Sequence, residues 1–314
     1  MVNIRNADVI VMWTGIELLK MFQDLRGSIP DFVDQFFLTI SAVEFQYYLP
    51  VVLMAILLWC FGRKQADLLM FNFGFSNLVG YFIKYIVQQP RPWQLDPTIE
   101  PTPDAKKGAS GFSLPSGHTT SALSSYGTMA WFCRDNALSI VFIALCILIP
   151  FARMYLEVHT PLDIIVAAIV TVAVCLVNCK ILKWSYENDR NRVYALIGYA
   201  VIALLISIAC DIISGKPFCN KMCGFCIAMP ICILIKERYI GYEVPETSLK
   251  DRVLPAIPGI IAVVVILEGV PYLIPNHGST AGITVAIIFI TLLYTFILKR
   301  WLGRNESCSV AESQ

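Results

Sequence analysis

Apolar stretches of about 17–25 residues recur from end to end of this 314-residue chain, each long enough to cross ~30 Å of hydrocarbon as a helix. Charged residues make up 15% of it, against roughly 25% in ordinary soluble domains, and mean hydropathy is +0.65. A chain patterned in this way is predicted to be all-α, a polytopic membrane helical bundle. Formal net charge is +1, so no basic excess points to nucleic acid as a partner. Membrane lipids are the expected surroundings.

The pattern places nine spans, at about 46–62, 66–88, 117–133, 137–155, 161–183, 194–213, 218–235, 253–274 and 279–298. Connections are short except 89–116 and 236–252. Residues 1–45 mix charges with aromatics and read as interfacial helices. Residues 46–213 form a membrane core, 214–300 a three-span C-terminal extension and 301–314 a cytoplasmic tail. Near the start, Asp8, Glu17 and Lys20 bracket only a short apolar run, which is not the pattern of a cleavable signal.

Counting Lys and Arg between spans sets the orientation. One set of connections carries fourteen, from Arg63 and Lys64 to Arg304, and the other seven, three of which lie in the motifs below. The richer side is predicted to be cytoplasmic. The N-terminus and all three motifs then face outward, or the lumen, and the C-terminus is cytoplasmic. The Ser-Gln terminus shows no evident retrieval signal, which favours a bacterial inner membrane. Most of the eleven cysteines lie inside apolar runs, where Cys acts as a small hydrophobe. Cys219, Cys223 and Cys226 fall at helical spacing with no evident fourth ligand nearby, so packing or an incidental disulfide is preferred to a metal or redox site.

Against this apolar background three short runs concentrate cations and imidazoles. Lys84 stands near the outer end of the second span, followed by Arg91 between two prolines. Pro115-Ser116-Gly117-His118 opens the third span. Arg153, His159 and Asp163 join the fourth and fifth, spaced Arg-x5-His-x3-Asp. Two of the chain's three histidines lie in these runs. Taken singly, each has a plain structural reading. Lys84 can snorkel, Ser116 can cap a helix before an interfacial His118, and Asp163 can complement a helix dipole. Together they supply what a phosphate needs. Lys84, Arg91 and Arg153 can hold three oxygens, and Gly117 lets an anion approach the free N–H groups of a helix start. If the turn is helical at His159, Asp163 shares its face and can orient the ring.

These runs resemble the motifs of the type 2 phosphatidic acid phosphatase family, over about residues 46–183. The resemblance implies an acid phosphatase/vanadium haloperoxidase-like core. It also implies hydrolysis through a phosphohistidine on His159, oriented by Asp163, with His118 protonating the leaving group. Lys84, Arg91, Arg153, Ser116 and Gly117 would bind the transferring phosphoryl group, and neither metal nor cofactor is implied. The nine-span layout is similar to that of the glucose-6-phosphatase branch. One position departs from the family: Ala152 stands where a serine usually precedes the arginine. The missing hydroxyl is worth about 0.5–1.5 kcal/mol, and Gln88, Gln89 or Thr160 are candidates to compensate.

The implied substrate is a lipid phosphate or diphosphate, of phosphatidate, phosphatidylglycerol phosphate or undecaprenyl diphosphate type. The alternatives are a soluble sugar phosphate, or a non-catalytic protein that binds or transports phospholipid. Loop 94–114 beside the site reads equally as a specificity element or a solvated crossover. Glu268 is an intramembrane carboxylate, functional by default or paired within the bundle, and His277 reads as a surface residue.

Overall fold

The structure, a computed structural model, describes residues 15–42, 44–109, 111–214, 221–244, 246–273 and 288–301. Among these residues every regular element is helical. The order is α1 (Ile16–Arg26), α2 (Asp31–Ile40), α3 (Leu49–Ile56, between π-turns Glu44–Tyr48 and Leu57–Phe61) and α4 (Arg63–Val87). Two short helices follow, α5 (Pro92–Leu95) and α6 (Pro103–Lys107). Then come α7 (Gly117–Phe132), α8 (Leu138–Tyr155), α9 (Pro161–Ser185) and α10 (Asp189–Ser214). The last are α11 (Lys221–Ile235) and α12 (Leu249–Leu273), and residues 288–301 are again helical.

Five helical stretches among the described residues are long and apolar enough to cross a membrane: Asp31–Phe61, Arg63–Leu95, Leu138–Tyr155, Pro161–Ser185 and Asp189–Ser214. They fit a membrane protein, and their exposed faces agree. Ile140, Val141 and Ile147 of α8, Ile165, Ile169 and Leu176 of α9, and Leu204, Leu205 and Ile212 of α10 all lie open. Nine spans were expected. Helix α7 has 16 residues, short of a full crossing by length alone, while α11 runs on directly through the π-helical segment Lys236–Ile240.

Polarity in α7 is handled internally. Thr120, Ser124 and Thr128 are buried, and each hydroxyl donates to the carbonyl four residues back, at 3.0, 2.7 and 2.6 Å. Side chains that bond their own helix need no water. Their small size also lets α7 pack along α8.

The chain divides into two compact units. Met1–Pro50 with Phe75–Val177 form one, which holds all of the predicted site residues. In it α1 and α2 pack on α8. Phe22, Val33 and Phe37 meet buried Tyr155, Leu156 and Val158, and the Phe37 and Tyr155 rings lie 4.4 Å apart. Met21, Leu25, Phe32 and Phe36 stay exposed on these two helices. One side of each is thus fixed to the bundle, and the open side mixes these apolar residues with Glu17, Asp24 and Asp31.

Val51–Gly74 with Asn178–Gln314 form the second unit. Its polar centre is a buried ion network. Arg192 bonds Asp67 at 2.5 Å and grips both oxygens of Glu237 at 2.8 and 3.1 Å, and Tyr186 donates to Asp67 at 2.6 Å. Losing one partner of such a network would strand a buried charge. Cys223 and Cys226 are buried and unpaired, and none of the described cysteines forms a disulfide. Cys219, His277 and the side chain of Glu268 lie outside the described residues.

Candidate active site

Helix α4 ends where Gln88 turns left-handed, at φ 52, and its N–H closes on the Lys84 carbonyl at 2.9 Å. Pro90 and Pro92 then keep Arg91 extended. Arg91 is buried and ties loops together. Its Nε donates to the Gly111 carbonyl at 2.9 Å and its Nη1 to the Val158 carbonyl at 3.0 Å. Lys84 Nζ donates to the carbonyls of Phe112 and Ser113 at 2.8 and 3.0 Å. Both cations therefore shape the 111–113 loop as well as facing the cavity described below.

The imidazole of His159 has a defined tautomer. Arg91 Nη1 lies 3.1 Å from its Nε2, and a guanidinium can only donate, so Nε2 carries the lone pair. Nδ1 then bears the hydrogen and donates to Asp163 Oδ2 at 3.3 Å. Burial, followed by the charges of Arg91, Lys84 and Arg153, pushes the His159 imidazolium well below the usual range, so the ring is neutral at physiological pH.

The expected shared helical face is reached by another route. Pro161 starts α9, so His159 precedes the helix and its N–H bonds the Arg153 carbonyl at 3.3 Å. Asp163, on the first turn, reaches back to the Thr160 N–H at 2.8 Å and meets the ring there. Ser113 Oγ donates to the same carboxylate oxygen at 2.6 Å, and Gln89 Nε2 donates to Oδ1 at 3.2 Å. These donors fix the carboxyl group beside the ring.

Ser116 caps α7, its Oγ accepting from Thr119 N–H at 3.4 Å. Its own N–H is engaged by the Asp163 carbonyl at 3.1 Å. The helix start thus offers Gly117 and His118 to the cavity, and Ser116 serves as its frame. Arg153, on the last turn of α8, is 3% exposed. Its Nη1 donates to Ser41 Oγ, while Nε and Nη2 have no partner among the described residues.

Six of the predicted residues, Lys84, Arg91, Gly117, His118, Arg153 and His159, line one cavity of about 1050 Å³. Ser116 and Asp163 stand behind it. Loop residues Asp104, Lys107 and Phe112 form part of the wall, as do Gln35, Thr39, Ser41 and Gln46 from the N-terminal region. Sequence reasoning missed Ser113 and Ser41. Neither lies in a motif, and only folding brings them to the site. Gln89 and Thr160, expected near the phosphate, bond Asp163 instead.

Glu157, two residues before His159, was also missed. It is fully buried in a left-handed conformation, φ 58, with Arg26 Nη1 at 3.1 Å. Burial pushes its carboxyl up to about 7 despite Arg26, with Asp34 and Glu100 adding to the rise. An acid raised on folding binds more protons folded than unfolded, so its stabilisation holds in acid and fades as pH rises through about 7. We expect the melting temperature to fall between pH 5 and 8 and the slope to flatten in Glu157→Gln, as differential scanning fluorimetry would read.

Buried cations, a neutral imidazole whose Nε2 lone pair faces Arg91 and an oriented carboxylate suit an anion site of the phosphoryl-transfer class. The family model of the PAP2 superfamily matches residues 67–187, a segment that contains every motif residue. The match is consistent with a member of the type 2 phosphatidic acid phosphatase family and supports a phosphoester hydrolase. No curated protein and no solved structure matches the chain.

Proposed function

We propose that the chain is an integral membrane phosphatase that hydrolyses a lipid phosphate or diphosphate of phosphatidate, phosphatidylglycerol phosphate or undecaprenyl diphosphate type. One observation carries this reading. Two donors of Arg153 are buried without partners among the described residues, on the wall of the cavity that also holds the His159 imidazole. Buried donors without acceptors are costly, and a phosphoryl group supplies the acceptors they lack.

In the proposed reaction His159 Nε2 attacks phosphorus, forming a nitrogen–phosphorus bond as the bond to the leaving oxygen breaks. His118 gives that oxygen its proton, then takes one from the water that cleaves the phosphohistidine. Asp163 holds the tautomer and offsets the charge that builds on the ring. Lys84, Arg91, Arg153 and the start of α7 stabilise the equatorial oxygens. The proposal includes nine spans, a site on the non-cytoplasmic face and a bacterial inner membrane.

A sugar phosphate is the second reading, favoured by Gln35, Thr39, Gln46 and Asp104 on the cavity wall, which suit a hydroxyl-rich leaving group. Non-catalytic phospholipid binding or transport does not account for the His159–Asp163 pair. Phosphate release by purified protein from phosphatidate, phosphatidylglycerol phosphate, undecaprenyl diphosphate and glucose 6-phosphate separates these readings. Turnover of glucose 6-phosphate alone would select the second, and no release from any ester would leave binding as the function.

Among the described residues no His, Cys, Asp and Glu group suited to a metal occurs, and cations can do a metal's work here. Vanadate, whose trigonal-bipyramidal form mimics the transition state, is expected to inhibit, and EDTA to leave the rate unchanged. Activity lost to EDTA and restored by a divalent ion would overturn this mechanism.

A further inference from the structure

Position 152 is alanine and offers no hydroxyl beside Arg153. A hydroxyl nevertheless reaches that guanidinium, from 112 residues away: Ser41, directly after α2, accepts a hydrogen bond from Arg153 Nη1. Ser41 is buried and lines the same cavity as Arg153, His118 and His159. An arginine only donates, so this contact uses a lone pair of Ser41 Oγ and leaves its O–H free to give. No described group receives that hydrogen. The Nε and Nη2 groups of Arg153 are likewise unmatched. Three donors thus stand together without an acceptor among the described residues, at the edge of a cavity already rich in cations. The complementary occupant is an acceptor-only group with several oxygens.

We propose that Ser41 contacts the phosphoryl group directly, its hydroxyl donating to one oxygen of the bound oxyanion while it accepts from Arg153. Helix α2 then completes the anion site, and the N-terminal helices are part of the catalytic apparatus. Three contacts fix them there. Arg26 pairs with buried Glu157, Tyr155 donates its hydroxyl to Asp34 at 2.5 Å, and Phe37 packs on Tyr155. The assignment rests on the phosphoryl site proposed above and deepens it.

The test uses full-length protein in nanodiscs, with orthovanadate and inorganic phosphate as probes and binding read by calorimetry. Ser41→Ala and the near-isosteric Ser41→Cys, whose thiol donates weakly, should each weaken both anions about tenfold or more. Ser41→Thr, which keeps the hydroxyl, should stay within about threefold of the parent. Melting temperatures confirm that each variant is folded. Unchanged affinity in folded Ser41→Ala or Ser41→Cys overturns the proposal, as does a folded Ser41→Thr no better than alanine. Absence of anion binding by the parent overturns it too. If the parent binds both anions, loses them in Ser41→Ala and yet hydrolyses no ester, the contact stands and the phosphatase reading falls.

Discussion

Replacing His159 with alanine is expected to lower phosphate release by about a thousandfold or more while the protein stays folded, because the variant lacks the nitrogen proposed to form the covalent intermediate. The loop that carries it does not depend on the ring. The His159 N–H donates to the Arg153 carbonyl at 3.3 Å and the Arg91 guanidinium donates to the Val158 carbonyl at 3.0 Å, neither of which involves the His159 side chain, so alanine retains both. Phosphate assays with a melting curve on the same sample would check this. Turnover near that of the parent would remove His159 as the nucleophile and with it the proposed covalent route.

The second large effect belongs to Asp163→Asn. The carboxylate accepts from the Thr160 N–H, Ser113 Oγ and Gln89 Nε2, and its Oδ2 faces His159 Nδ1. An amide in its place presents an NH₂ among groups that also donate. If that NH₂ faces the ring, Nδ1 must accept and the hydrogen moves to Nε2. Nε2–H would then oppose Arg91 Nη1, now 3.1 Å away, donor against donor. A wrong tautomer of this kind in a serine-protease triad costs about 10⁴ in kcat, and a loss of roughly 10³–10⁴ with a smaller change in KM is expected here. Nitrogen NMR of the labelled ring would report the tautomer directly. A kcat within about tenfold of the parent would show that Asp163 does not set it.

Much of the site was legible in the sequence because its chemistry is clustered in local runs. Arg91 between prolines, Ser116 before a helix start and Arg153 six positions before His159 each announce themselves at short range. The groups that support them do not. Ser41 lies 112 residues from Arg153, and Ser113 lies 50 from Asp163. A lone serine carries no periodic signal that could betray such partners. Glu157 was hidden for a different reason, since a carboxylate beside a motif reads as solvated until burial is known. The helical class was plain from hydropathy. Helix α7 was legible too, at 117–133, although it draws on a Ser- and Thr-rich stretch that satisfies itself by bonding back along its own backbone.

The contact between Arg91 and Nε2 of His159 has a consequence for the resting protein. The guanidinium sits on the ring's one lone pair, so without an anion the proposed nucleophile is masked. An arriving phosphoryl oxygen competes for the same N–H, and the bond it wins is the charge-assisted one. Under the proposed mechanism the substrate therefore uncovers the atom it needs, and a neutral molecule wandering into the cavity finds the ring still occupied.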